Sequence, residues 1–516
     1  MPNPPLDIVL LVLDTQRSDR LSCYGYDKPT SPAIDALAAE STLFQRGVAA
    51  AQWTIPSHGS MFTGVYPSEH QMVQSYSRLP DSLPTLAERL RDGGYYTAAF
   101  CNNPLVGVIN NGLRRGFYSF LNYSGLLNSH PNQAGIPANL IDRYRSWFKR
   151  VLAGTLSNVQ DAFARNEMLL ELSFSPLMVP LWQTALSFKG NTAKSLQDAA
   201  RLLINRDQAE EQPIFTFINL MGTHMPYHPP RKYIERFAPH VLKDKQARAY
   251  LRQFNSDIYG WLAPLADPLN ERHKHTLDGM YDAEVAAQDE QVGRFIATLR
   301  EAGRLENTLF ILCSDHGEHL GEKRLVGHTN AIYNELARVP LIIRDGSGAF
   351  PQGTVREEVV STRQLFHTIL TAAGCATPAE MSLTLALSGE DNTHPVFAEA
   401  VPPQNVLKLL MQRQPELVQE RLCDRTTLAV WNKEYKLVAK NSDQVIFDAC
   451  ELYDIVNDPS ETLNLHDILP EQVDLLQDYL EAFYHNQTPV ATASVTADNF
   501  NDPEVYRRLQ DLGYLE

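Results

Sequence analysis

Six consecutive apolar residues near the start of the chain, Ile8-Val9-Leu10-Leu11-Val12-Leu13, run straight into an acid, Asp14. An unbroken apolar run of this kind is expected of a strand buried on both faces of a parallel sheet, not of a half-solvated strand with alternating polarity. Asp14 then falls where that strand should end. The residues ahead of the run, Met1-Pro2-Asn3-Pro4-Pro5-Leu6-Asp7, carry no positive charge. The run is too short for a signal peptide and closes on an acid in place of a small-residue cleavage site. No stretch approaches the roughly 18 apolar residues of a membrane span, so no integral membrane segment is expected.

Further short apolar segments repeat the theme. Tyr95 to Phe100, Ile214 to Asn219, Thr308 to Cys313 and Val339 to Ile343 all read as strands. Helical patterns lie between them: Pro32 to Glu40 with Ser31 as N-cap, Leu83 to Asp92 closed by Gly93-Gly94, and Met280 to Glu301 stopped by Gly303. Strands alternating with helices imply a doubly wound α/β sheet. Two regions break the pattern. From about Gly107 to Asp207 strand signals are missing and the chain reads as largely helical. Within it, Leu140 to Leu152, with Arg143, Arg145, Lys149 and Arg150, is amphipathic and basic. It reads as a solvated face of an inserted lid or, alternatively, as a membrane-surface or partner helix. After about Gly389, Thr427 to Val430 and Tyr435 to Val438 flank Asn432-Lys433 as a hairpin, and Glu471 to Tyr484 is helical. The expected organisation is a catalytic α/β domain over 1–388, with a helical insertion at about 107–207, and a smaller C-terminal α+β domain over 389–516.

Charge and cysteine content narrow the function classes. With 45 Lys and Arg against 61 Asp and Glu, the 516-residue chain has a formal net charge of −16. That is a poor surface for nucleic acid, whose phosphates are held by clustered cations. The six cysteines, Cys23, Cys101, Cys313, Cys375, Cys423 and Cys450, are scattered and form no CxxC pair. This suits buried thiols in a reducing compartment, and a cytoplasmic protein is expected. The acidity also means that an anionic substrate would need a local cation to reverse the field.

Such a cation has candidate ligands. Asp14 follows the first strand, and Asp315-His316 follows Thr308 to Cys313. In open α/β sheets ligands bind beyond the carboxyl ends of strands. Two carboxylates and an imidazole at one edge make a plausible divalent-metal site, although singly Asp14 could be a helix cap and His316 a loop histidine. In Trp53-Thr54-Ile55-Pro56-Ser57-His58-Gly59, Pro56 marks a helix start. Thr54 would sit at the helix N-terminus, where amide dipoles stabilise anions, or would serve only as its cap.

These segments together resemble the sulfatase family of the alkaline-phosphatase superfamily. Val12-Leu13-Asp14-Thr15-Gln16-Arg17-Ser18 through Tyr24-Gly25 resembles its opening, and Thr54-Ile55-Pro56-Ser57-His58 lies where the family has its Cys-x-Pro-Ser-Arg nucleophile motif. Gly222-Thr223-His224-Met225-Pro226-Tyr227, Ser314-Asp315-His316-Gly317-Glu318, the block from Gly327-His328 to Ile343, and Leu452-Tyr453-Asp454 through Asn464-Leu465 follow in family order. The resemblance implies an alkaline-phosphatase-like fold, a large mixed sheet flanked by helices. It implies that Asp14, Asp315, His316 and Thr54 hold one divalent metal (Mn²⁺, Ca²⁺, Mg²⁺ or Zn²⁺), with Thr54 also the nucleophile. It also implies that His224 and His328 contact the substrate or its leaving group, while His58 replaces the motif Arg. Thr15 stands where many relatives have a second metal-binding carboxylate.

The departure at Thr54 bears on chemistry. Sulfatases oxidise a Cys or Ser to formylglycine, but Thr carries a methyl on Cβ, so formylglycine is not expected here. A plain hydroxyl can attack phosphorus and be released by water. The expected activity is hydrolysis of a phosphodiester or phosphonate monoester, with an anionic small-molecule ester as partner and room for a homo-oligomer. Sulfate-ester hydrolysis, phosphotransfer to another acceptor, and a degenerate binding protein remain open as alternatives.

Overall fold

The computed structural model describes residues 6–107, 111–124, 189–205, 212–256, 264–328, 331–387, 394–441 and 449–490. The basic segment Leu140 to Leu152 lies outside them, as does the expected domain boundary near 388.

The apolar run forms β1 (Asp7–Leu13), which lies inside an eight-stranded sheet. Its other strands are β2 (Thr42–Val48), β3 (Tyr96–Cys101), β4 (Ser119–Asn122), β5 (Ile214–Leu220), β6 (Thr308–Cys313), β9 (Arg338–Asp345) and β10 (Thr354–Ser361). A two-stranded ribbon, β7 (His319–Leu320) with β8 (Val326–Gly327), lies between β6 and β9 in the chain. The sheet order is β10-β2-β9-β6-β1-β5-β3-β4. All neighbouring pairs are parallel except those of β9, which runs antiparallel to β2 and to β6. Alternate residues of β1 feed two cores. Val9, Leu11 and Leu13 join Phe310, Leu312, Ile218 and Leu220 on one face, while Ile8, Leu10 and Val12 join Leu309, Ile311, Phe215 and Phe217 on the other. Each such side chain contributes roughly 1.5–3 kcal/mol by leaving water, which is why the run lies centrally.

The helix Glu271–Glu301 covers the first face. Leu277, Tyr281, Val285, Val292, Phe295 and Leu299 recur at helical spacing and enter that core. The helix Thr54–Thr63 covers the other face, with Ile55, Met61 and Phe62 in the second core.

Several local expectations shift. Ser31 occupies the N-cap position of the helix Pro32–Ala38 without capping it. The N–H groups of Ala33 and Ile34 donate to the Asp289 carboxylate at 3.1 and 2.8 Å, so a distant acid replaces the local hydroxyl. The stretch read as lacking strands contains β4, a short edge strand pairing in parallel with β3. The strands β2 and β10, the two outermost on one side of the sheet, are an addition to the expected set: both mix apolar with charged or polar residues. The helix expected from Leu83 begins at Leu86, where Thr85 and Glu88 form a reciprocal capping box.

The smaller sheet is antiparallel, ordered β11 (Val396–Ala400), β12 (Thr427–Trp431), β13 (Tyr435–Lys440), β14 (Ala449–Asp454). The expected hairpin is present between β12 and β13, and Asn432 Oδ1 accepts from the N–H groups of Glu434 and Tyr435. The helix Pro470–Asn486 packs on one face through Val473, Leu476 and Leu480. The opposite face meets Val48, Ile332 and Ala337 of the large unit.

One fully buried ion pair of the smaller unit also bonds to the backbone of the larger one. Lys436 on β13 donates to Glu461 Oε1 at 2.5 Å and to the Ile332 carbonyl at 2.8 Å. Glu461 Oε2 accepts from the Asn334 N–H at 2.8 Å. Removing one partner leaves a buried charge unpaired, so Lys436→Met should cost about 3–5 kcal/mol in urea denaturation, and the double change Lys436→Met/Glu461→Leu less than the single.

Candidate functional site

Parallel register brings several strand ends to one level. Val12 pairs with Cys313 on one side and Asn219 on the other, and Cys101 also pairs with Asn219. The residues that follow these strands, Asp14, Ser314-Asp315-His316, Met221 to His224 and Asn102-Asn103, therefore meet beyond one edge of the sheet.

Asp14, Asp315 and His316 are fully buried and present ligand atoms within 4.8 Å of one another. Each carboxylate has one oxygen tied down and one bare. Asp14 Oδ2 accepts from Asn103 Nδ2 at 2.6 Å. Asp315 Oδ1 accepts from the N–H groups of Thr15 at 3.3 Å and His316 at 3.0 Å. Asp14 Oδ1 and Asp315 Oδ2 have no hydrogen-bond donor. His316 Nδ1 lies 2.9 Å from the Gly317 carbonyl, which assigns the proton to Nδ1 and leaves a lone pair on Nε2. That Nε2 lies 4.0 Å from Asp14 Oδ1 and 3.4 Å from Asp315 Oδ2. Burial and the Asp14 charge hold the Asp315 carboxyl well above the usual range, and burial pushes His316 well below its own. Three electron-rich atoms facing one another with no donor among them fit a divalent cation, and these residues have the chemistry to hold one.

Thr54 is the first residue of its helix, with Trp53 in the N-cap position, so Thr54 is not the cap. Its Oγ1 lies 3.4 Å from His316 Nε2 and 3.4 Å from Asn103 Nδ2. His58, one turn on, is fully buried between Phe62 and Phe217. Its Nδ1 donates to the Thr54 carbonyl at 2.9 Å and lies 3.5 Å from Asp315 Oδ2. Burial lowers its pKa. His58 thus stands behind the ligand cluster.

His328 and His224 form the opposite wall. The His328 ring lies 4.6 Å from that of His316 and 5.1 Å from that of His224. Burial opposes charge on His328, but the Glu318 carboxylate, 2.7 Å from Nδ1, outweighs it and raises the pKa. His224 is lowered, chiefly by burial. Its loop is anchored around it. Thr223 Oγ1 donates to the Asp14 carbonyl at 2.6 Å, the Gly222 N–H donates to Gln288, and Lys189 bridges the Gly222 carbonyl and Glu284. Glu284 also accepts from the His228 N–H, while the His228 side chain is exposed. Thr15 adopts a left-handed backbone, φ 58°, and its buried hydroxyl has no partner among the described residues.

Asp14, Thr54, His58, His224, Asp315, His316 and His328, the residues the resemblance singles out, thus lie together. Two others went unremarked. Glu318 was quoted only as part of the Asp315-His316 motif, and Asn103 follows β3 with no motif around it. The rule that ligands gather beyond strand ends could have found Asn103.

A model of the sulfatase family matches residues 7–375. An arylsulfatase of Clostridium perfringens is 23% identical over 383 residues, covering 72% of this chain and 76% of that protein. A choline-sulfatase of Rhizobium meliloti is 24% identical over 477 residues, covering 89% and 82%. Among solved structures, the phosphonate monoester hydrolase of Agrobacterium radiobacter superposes with a TM-score of 0.61 at 20% identity, over 93% of this chain and 95% of that one.

A cation bound to the three bare atoms should stabilise the native state by about 2.7 kcal/mol at a hundredfold excess over its Kd. EDTA should lower the melting temperature, Mn²⁺ should restore it, and Asp315→Asn should abolish the difference in thermal melts.

Proposed function

Because the chain belongs to the sulfatase family of ester-cleaving hydrolases, we propose that it hydrolyses anionic phosphoesters, phosphodiesters or phosphonate monoesters, through a covalent intermediate on Thr54. The observation that carries this reading is a threonine hydroxyl lying 3.4 Å from His316 Nε2, beside the cluster Asp14, Asp315 and His316. The methyl on its Cβ keeps the hydroxyl an alcohol, which can attack phosphorus and later be freed by water attacking the same phosphorus. A divalent cation bound by Asp14, Asp315, His316 and Thr54 would lower the hydroxyl pKa and offset charge on the transferring group.

The protein's own groups do the rest. Thr54 Oγ1 forms a bond to phosphorus as the bond to the leaving oxygen breaks. His328, held by Glu318, carries a proton in reach of the pocket and supplies it to the leaving alkoxide, with His224 across from it. His58, whose Nδ1 donates to the Thr54 carbonyl, holds the first turn of the helix that carries the hydroxyl. Nearby cationic side chains are already committed: Arg17 to Asp19 and Glu322, Lys189 to Glu284. One metal and one protonated imidazole suit a monoanion better than a dianion.

Sulfate esters are the second reading, favoured by the arylsulfatase and choline-sulfatase relatives. With Mn²⁺, the purified protein should cleave bis-(4-nitrophenyl) phosphate faster than 4-nitrophenyl phosphate or 4-nitrophenyl sulfate, and a clear preference for the sulfate sinks the proposal. Thr54→Ala should lower kcat on the order of 10³-fold or more. His328→Asn should reduce kcat/KM by about 10²-fold or more on alkyl diesters with poor leaving groups, and much less on nitrophenyl esters. An equal loss on both would assign His328 to binding alone.

A further inference from the structure

Asn103 touches both halves of the site. It lies just past β3 and is 1% exposed. Its Nδ2 donates to Asp14 Oδ2 at 2.6 Å and lies 3.4 Å from Thr54 Oγ1. The other end of the amide determines its orientation, because Asn103 Oδ1 accepts from the Leu105 N–H at 2.8 Å. Turning the amide over would set its oxygen against the Asp14 carboxylate and its NH₂ against the Leu105 N–H, exchanging two hydrogen bonds for two repulsions. The backbone is held as firmly, with the Asn103 carbonyl accepting from the N–H groups of Val106 and Gly107 at 3.2 and 2.9 Å. Nδ2 has two hydrogens, so the carboxylate and the hydroxyl can each face one.

We propose that Asn103 is a positioning residue for the hydrolysis, holding Asp14 Oδ1 toward Asp315 and His316 and holding the Thr54 hydroxyl in one rotamer for attack on the ester phosphorus. The inference rests on Thr54 being the nucleophile. A threonine hydroxyl has three staggered positions about χ1, and contacts on both sides of Oγ1, from Asn103 and His316, select one. Asn103 exchanges no proton. The Oγ1–P bond forms, the bond from phosphorus to the leaving oxygen breaks, the hydroxyl proton passes to solvent, and the leaving alkoxide takes a proton from His328. Nδ2 keeps both hydrogens throughout.

The test compares the full chain with Asn103→Ala, Asn103→Asp, Asn103→Ser and Thr54→Ala on bis-(4-nitrophenyl) phosphate, with Mn²⁺ affinity measured separately by calorimetry. Loss of orientation should lower kcat of Asn103→Ala by about 10²-fold, while KM changes by less than about 3-fold. Mn²⁺ binding should weaken by about 10-fold, as for loss of a group that orients a ligand, and saturating Mn²⁺ should not restore kcat. Asn103→Asp keeps the shape but sets a carboxylate against Asp14, and should lose at least as much kcat, whereas a residue that only fills space would tolerate it. Asn103→Ser can keep the turn capped through its hydroxyl; it should melt near the wild-type temperature and still lose kcat, separating positioning from misfolding. Near wild-type turnover in all three Asn103 variants, with Thr54→Ala inactive, overturns the role of Asn103 and leaves Thr54 as the nucleophile. Full recovery of Asn103→Ala by excess Mn²⁺ also overturns it, in favour of metal binding alone. An active Thr54→Ala overturns the nucleophile, and the positioning role falls with it.

Discussion

Two buried carboxylates, Asp14 and Asp315, each with one oxygen held and one left bare, set the terms for everything around them. Their bare oxygens face each other and the lone pair of His316 Nε2. Inside a low-dielectric core such an arrangement is unfavourable by itself, and the protein tolerates it through contacts on the outer oxygens. Asn103 holds one, the N–H groups of Thr15 and His316 hold the other, and Thr223 and Ser57 fasten the Asp14 and Asp315 backbones. The sheet supplies the rigid platform. β1 and β6 are adjacent and parallel, so their ends deliver both acids to the same level.

The same cluster bears on the conflict between an acidic chain and the anionic ester proposed for it. The net charge of −16 belongs to the whole chain, whereas the field at the site would be set by a cation held by its carboxylates and by the imidazoles around it. Burial pushes His58, His224 and His316 toward the neutral form, and only His328, beside Glu318, is pushed the other way. Of these histidines, His328 alone has a hydrogen-bonded carboxylate, and its pKa moves the other way.

Much of the fold was legible in the sequence because burial on two faces leaves an unmistakable run, as at Ile8 to Leu13 and Thr308 to Cys313. Strands at the edge or next to it were not. β2 reads Thr-Leu-Phe-Gln-Arg-Gly-Val and β10 Thr-Val-Arg-Glu-Glu-Val-Val-Ser, and their polar residues hide strands whose pairing comes from backbone hydrogen bonds. β4 is four residues long, too short for any periodicity. Asp289 capping the helix at Pro32 was unreadable for another reason: the acid lies about 255 residues away in sequence.

The sequence by itself determined the fold class, the family and the residue types at the strand ends, because apolar runs and short motifs are local. Only the tertiary structure decided what those residues face. It buried His58 beside Asp315, paired His328 with Glu318, and brought Asn103 between Asp14 and Thr54. Each of these contacts joins segments separated in the chain or turns on a side-chain direction, and both are set by how strands register and helices pack, which no local pattern encodes.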